Sequence, residues 1–79
     1  MAGYGKGGVP DIVACIDGVF VGIEVKREGK VPTDRQILRI KEIQAAGGTA
    51  FWGTAVKVCS EIEMWLKRRD KDKRLTLGL

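Results

Sequence analysis

The stretch VPDIVACIDGVFVGIEVKREGK, residues 9–30, decides the fold. At its centre, Asp17-Gly18 is a two-residue signal for a type I′ hairpin, a turn whose two loop positions both take positive φ. The flanking segments, Ile12 to Ile16 and Val19 to Lys26, are rich in β-branched residues and read as the paired strands. With Asp17 and Gly18 as the loop, Ile16 lies opposite Val19, and the pairs step outward from there until Asp11 falls opposite Glu24. Directly opposed residues share a face, with Cβ atoms about 4.5–5.5 Å apart, so two carboxylates there can share one divalent cation. Lys26, two residues beyond Glu24, belongs to the same face. The opposite face carries Ile12, Ala14, Ile16, Val19, Val21, Ile23 and Val25, an apolar set that calls for a packed cover.

Downstream, Pro32-Thr33 opens a helix. Thr33 and Gln36 have capping-box spacing, Ile37, Ile40, Ile43 and Gln44 follow near helical spacing, and Gly47-Gly48 ends it. Thr49 to Val58 (TAFWGTAVKV) then reads as a third strand. Because it is reached through a helix, it is expected parallel to a hairpin strand. Ser60 and Glu63 supply a second capping box, for a helix running to about Arg69 that buries Ile62, Trp65 and Leu66. The expected architecture is α/β: ββαβα, a mixed sheet with helices packed on it, in a single domain spanning residues 1–79. Residues 1–8, with four glycines, read as a flexible lead-in.

The totals narrow the chemistry. A chain of 79 residues buries only about 60% of its unfolded surface, which favours an oligomer. The absence of histidine removes every mechanism that needs an imidazole base or ligand, leaving carboxylates, lysines and bound ions. Cys15 and Cys59 lack metal or redox spacing. The start, MAGYGKGG, has no apolar signal core, and no apolar run approaches a membrane span, so the expected location is intracellular and cytoplasmic. A net charge of +4 suits a polyanionic partner such as nucleic acid. No Gly-rich phosphate loop or other organic-cofactor motif is present.

Cutting a phosphodiester needs an activated water, neutralisation of charge on the phosphate and stabilisation of the leaving oxygen, which Mg²⁺ or Mn²⁺ can supply. Asp11, Glu24 and the main-chain carbonyl of Val25 offer the hard oxygens these ions prefer. Lys26 beside them is suited to hold the attacking water or the phosphate. Taken singly, Asp11 can instead start a turn, Glu24 can be an exposed strand acid paired with Lys26, and Gln36 can serve only the cap.

The ordered set Gly8-x-Pro10-Asp11, a hairpin, Glu24-Val25-Lys26, Gly29-Lys30 and Gln36 on a helix closed by Gly47-Gly48 resembles the VRR-NUC branch of the PD-(D/E)xK nuclease superfamily. The resemblance covers roughly residues 5–66. It implies a restriction-endonuclease-like core close to Holliday junction resolvases and a metal-dependent DNA endonuclease. Stand-alone members of this kind resemble phage or bacterial proteins acting as homodimers on branched or structured DNA, junctions or flaps. Carried over, Asp11 and Glu24 become metal ligands, Lys26 the water-orienting residue and Gln36 a helix residue facing the site. The helix with a further glutamate that family members carry before G-x-P-D has no counterpart in the ten residues ahead of Asp11. The alternative implied by that gap is a catalytically silent DNA-binding or assembly module. Lys6, Arg27, Lys30 and Arg35 flank the acids and suit backbone contacts, or serve as ordinary solvated charge. Lys67 to Arg74 reads as a solvated helix end, and Phe51, Trp52 and Trp65 as core or dimer interface.

Overall fold

The computed structural model describes residues 9–78. The elements are β1 (Ile12–Ile16), β2 (Val19–Val25), α1 (Asp34–Ala45), β3 (Thr49–Gly53) and α2 (Ala55–Leu77), and the sheet order is β1-β2-β3. The fold is α/β, with a three-stranded mixed sheet and two helices. The lead-in at residues 1–8 lies outside the described residues.

The hairpin forms as its turn dictates. Asp17 and Gly18 have φ of 53° and 78°, the left-handed pair that a type I′ turn needs. From Ile16↔Val19 the antiparallel register runs through Ala14↔Val21 to Ile12↔Ile23. β2 then pairs in parallel with β3, setting Ile23 beside Phe51 and Glu24 beside Trp52. Partners in register share a face, so the two faces of the sheet follow directly.

One face carries Val21, Ile23 and Phe51, which with Val58 of α2 form the buried core, bordered by Ile16, Ile62 and Trp65. Val58, Ile62 and Trp65 recur at helical spacing, so α2 lays one stripe along the sheet. Trp65 meets Phe51 edge-on, with ring centroids 5.9 Å apart. α2 runs back from the end of β3 toward the hairpin turn. There Arg69 bonds the Asp17 carboxylate at 3.1 Å, and Lys73 bonds its other oxygen. Lys73 and then Arg69 hold the Asp17 carboxyl below its ordinary range. The core is small, and the apolar face is covered only in part: Ile12 and Val25 remain 48% and 40% exposed.

α1 covers the other face, and glycine lets it approach. A Cβ on Gly22 would lie 2.8 Å from Ile43 Cδ1 and 3.1 Å from Pro10 Cγ. A Cβ on Gly48 would meet the Phe20 carbonyl oxygen at 2.9 Å and Ile43 Cγ2 at 2.8 Å. The Thr33–Gln36 capping box forms on both sides: Thr33 Oγ1 accepts from Gln36 N, and Gln36 Oε1 accepts from Thr33 N. Ile40 and Ile43 are half-buried, whereas Ile37 is exposed.

The second half of the chain departs from the sequence expectation. The strand expected over Thr49 to Val58 stops at Gly53, whose φ of 144° leaves the strand region. Thr54 caps α2, its hydroxyl accepting from Lys57 N. The helix therefore opens at Ala55, five residues before Ser60, and Ser60 and Glu63 lie inside it. Val56 and Val58, β-branched residues that favour strands, sit in its first turn. The helix also continues past Arg69 to Leu77 and ends at Gly78 in the left-handed conformation, so Lys67 to Arg74 is regular helix. Leu66, expected to be buried, is exposed. No helix among the described residues is long and apolar enough to cross a membrane.

The Gly48 contact involves backbone that cannot swing aside, while Ile43 Cδ1 near Gly22 can rotate. Gly48→Ala is expected to lower stability by about 1–3 kcal/mol, and Gly22→Ala by less, in urea unfolding; equal losses would contradict this packing.

Candidate metal and nucleic-acid site

The carboxyl-terminal ends of the parallel strands β2 and β3 meet at one edge of the molecule, where both helices begin. In open α/β sheets that is where ligands bind. The hairpin register brings Asp11 to this end from the other side.

Asp11 stands one residue before β1, between Ile12 and a proline that packs beside Gly22 on the α1 face. The Val25 N–H donates to Asp11 Oδ2, 3.0 Å away, and ties this residue to the end of β2. Since the N–H and C=O of one strand residue leave on the same side, the Val25 carbonyl also faces Asp11. Lys26 N, the next along, donates to Gly53 O at 2.7 Å and ties the end of β2 to β3.

Glu24 is only 4% exposed, the one charged side chain buried among the described residues. Gln36 Nε2 donates to its Oε2 at 3.2 Å. The same amide uses its oxygen in the α1 cap, so the cap orients the nitrogen toward Glu24. Burial, then the neighbouring Asp11 charge, push the Glu24 carboxyl above its ordinary range, and a hydrogen bond with Asp11 adds to this; Lys26 works in the opposite sense. Asp11 itself is exposed, which leaves the pair open to solvent on one side.

Of the sequence candidates, Asp11, Glu24, Val25 and Gln36 are brought together through these bonds. Lys26 is half-buried and close enough to influence Glu24. Arg27 and Lys30 belong to the turn after β2, closed by Lys30 N donating to Arg27 O at 3.0 Å, and Arg35 lies in the first turn of α1. All three are exposed at this end. Lys6 lies outside the described residues. The structure adds two residues that sequence reasoning placed elsewhere. Trp52, read as core or interface, stands beside Glu24 on the same face, half-exposed. Lys57, read as strand, holds its Nζ 4.1 Å from the centroid of the Trp52 ring. The signal for Trp52 is the parallel register, which becomes visible only once the crossover is known.

No family model, curated protein or solved structure matches the chain.

The donor set suits a small hard cation. Two carboxylates crowd each other, one of them held above its ordinary range by burial and then by that crowding, and a cation between such groups relieves both effects. The Val25 carbonyl leaves β2 on the same side as the N–H that Asp11 accepts. Among the described residues no three acidic, His or Cys side chains gather. Two carboxylates are nonetheless what Mg²⁺ commonly takes from a protein, keeping several waters.

Because Glu24 is raised in the folded chain, the unfolded chain loses its proton first, near 4.5, as pH increases. Its contribution to stability is fully present below 4.5 and is lost as pH rises through the folded value. In metal-free buffer, the stability of the wild type relative to Glu24→Gln should therefore fall across that window and level off above it. Parallel urea-unfolding profiles for the two proteins would contradict the burial of this acid.

Proposed function

We propose that this chain is a Mg²⁺- or Mn²⁺-dependent DNA endonuclease of the VRR-NUC branch, with a restriction-endonuclease-like core. The observation that carries the reading is the Asp11–Glu24 pair, set together by the hairpin register at the carboxyl end of β2, with Lys26 two residues on. A ligand pair, a lysine and a cluster of exposed cations are what hydrolysis of a phosphodiester requires at one place.

In this reading Asp11, Glu24 and the Val25 carbonyl hold the metal ion. The ion, when bound, supplies Lewis acidity and neutralises charge on the phosphate. Lys26 orients the attacking water or pairs with a phosphate oxygen through its ammonium. Gln36 keeps the Glu24 carboxylate in one orientation, the role a fixed outer partner plays at metal sites. Arg27, Lys30 and Arg35 contact the DNA backbone and contribute affinity without reading sequence.

Branched or structured DNA, a junction or flap, is the proposed substrate, and a homodimer the proposed assembly, acting in the cytoplasm of a bacterial host and encoded there or by a phage. Two sites related by a two-fold suit paired cuts. The exposed Ile12 and Val25 and the open edges of β1 and β3 support self-association. A second reading rests on one observation: the site holds two acidic side chains where the resembled family carries a further glutamate. Under it the chain binds DNA without cutting.

The test is cleavage of labelled four-way junction, flap, single-stranded and duplex DNA with Mg²⁺, Mn²⁺ or EDTA. Asp11→Ala, Glu24→Ala and Lys26→Ala should each reduce metal-dependent cutting by at least about 10²-fold while circular dichroism stays unchanged. Cutting retained by these variants would remove the assigned site. DNA binding by the wild type without cutting would select the silent module.

A further inference from the structure

We infer that Lys57, seated on the Trp52 ring, is a contact for a nucleic-acid backbone phosphate on the β3 side of the carboxylate pair. The inference deepens the nuclease reading, whose site it flanks.

Position comes first. Trp52 is the register partner of Glu24, and adjacent strands lie about 4.8 Å apart, so the indole borders the buried carboxylate on the same face. Lys57 Nζ lies 4.1 Å from the centroid of that ring. The ammonium is thus held over the ring that stands next to Glu24 across the β2–β3 pairing. A strand crossing the carboxyl ends of β2 and β3 would meet Lys57 where β3 passes into α2.

The placement is built into the chain. Lys57 sits in the first turn of α2, where its backbone N–H is bound by Thr54 Oγ1 at 3.2 Å. Its stem crosses Gly53, where an added Cβ would lie 2.6 Å from Lys57 Cδ and 3.4 Å from Cγ and Cε. The glycine that ends β3 therefore also gives the lysine its path to the indole. Cation–π attraction then holds the ammonium over a ring rather than leaving it to roam.

The ammonium is positioned but has donors to spare. Among the described residues, Lys57 Nζ has no hydrogen-bond acceptor. It forms an ion pair with Glu61 Oε1, 3.6 Å away and one turn on along α2, an oxygen that is itself buried without a hydrogen bond, so the pair leaves N–H groups of the ammonium without an acceptor. Half of the Lys57 side chain is exposed, 50%. An ammonium with three N–H groups, fixed by a π face and open to solvent, offers those donors to an incoming phosphate oxygen.

The test measures binding of a fluorescent single-stranded oligonucleotide and of a duplex in EDTA across a salt series, so that it does not depend on cleavage. Lys57→Ala should lower the slope of log affinity against log salt by about one for both probes, the signature of one lost phosphate contact. Lys57→Arg should restore the slope, and Lys71→Ala, the same charge change far along α2, should leave it at the wild-type value. Inorganic phosphate at matched ionic strength should not displace the oligonucleotide; displacement would mean a free-anion site and overturn the backbone assignment. A Lys57→Ala slope equal to that of Lys71→Ala, or no binding by the wild type at low salt, would overturn the inference. A lowered slope without any Mn²⁺-dependent cutting would keep the phosphate contact and reject the nuclease reading. Cutting with an unchanged slope would do the reverse.

Discussion

The turn at Asp17-Gly18 governs the positions of the chemistry-bearing groups. Two loop residues at positive φ leave one register for the hairpin, and a slip of a single residue would exchange the two faces. With the register set, Val21 and Ile23 face α2 and Glu24 faces α1. At the open end of the same hairpin the Val25 N–H donates to the Asp11 carboxylate, which holds that acid beside the end of β2. The turn is in addition anchored from a distance, since Arg69 and Lys73 of α2 both bond Asp17. The residue that shapes the hairpin also docks the far half of the long helix.

Glu24 shows what such a small fold gives up to hold this arrangement. A buried carboxylate is unfavourable unless it is bonded or paired, and here the neighbour across the hairpin is another acid. Gln36 donates to the carboxylate and Lys26 works against the upward shift from nearby, while the Asp11 hydrogen bond adds to it. Nothing in the packing of the core calls for an acid at this position. The core lies on the other face and would be as well formed with a neutral side chain at residue 24. A buried acid that packing does not require is a functional candidate on physical grounds.

The first half of the chain is legible because each of its signals is local. Asp-Gly between β-branched runs specifies the turn, and Thr33 with Gln36 specifies the start of α1. The junction of β3 and α2 is not legible in the same way. Thr54 caps without an acid at the third helical position, where Lys57 stands, and Val56 and Val58 imitate a continuing strand. The capping-box spacing of Ser60 and Glu63 falls inside the helix, so a real signal type marks no boundary there. The reach of α2 through Lys67 to Arg74 is hidden too, because a run of charges has no apolar period; its register comes from Arg69 and Lys73 meeting Asp17 more than fifty residues earlier. Of the site, Asp11, Glu24 and Lys26 follow from the hairpin alone. Trp52 and Lys57 depend on how β3 pairs, a tertiary fact that periodicity does not carry.

The central claim is that Asp11 and Glu24 hold a divalent cation together, and paramagnetic broadening tests it most directly. Substoichiometric Mn²⁺ added to ¹⁵N-labelled protein should selectively broaden the amides of Asp11, Val25, Lys26 and Gln36, and Asp11→Asn should abolish that pattern. Broadening centred elsewhere, for instance on Asp70 and Asp72 in the distal part of α2, or none at all, would contradict the account.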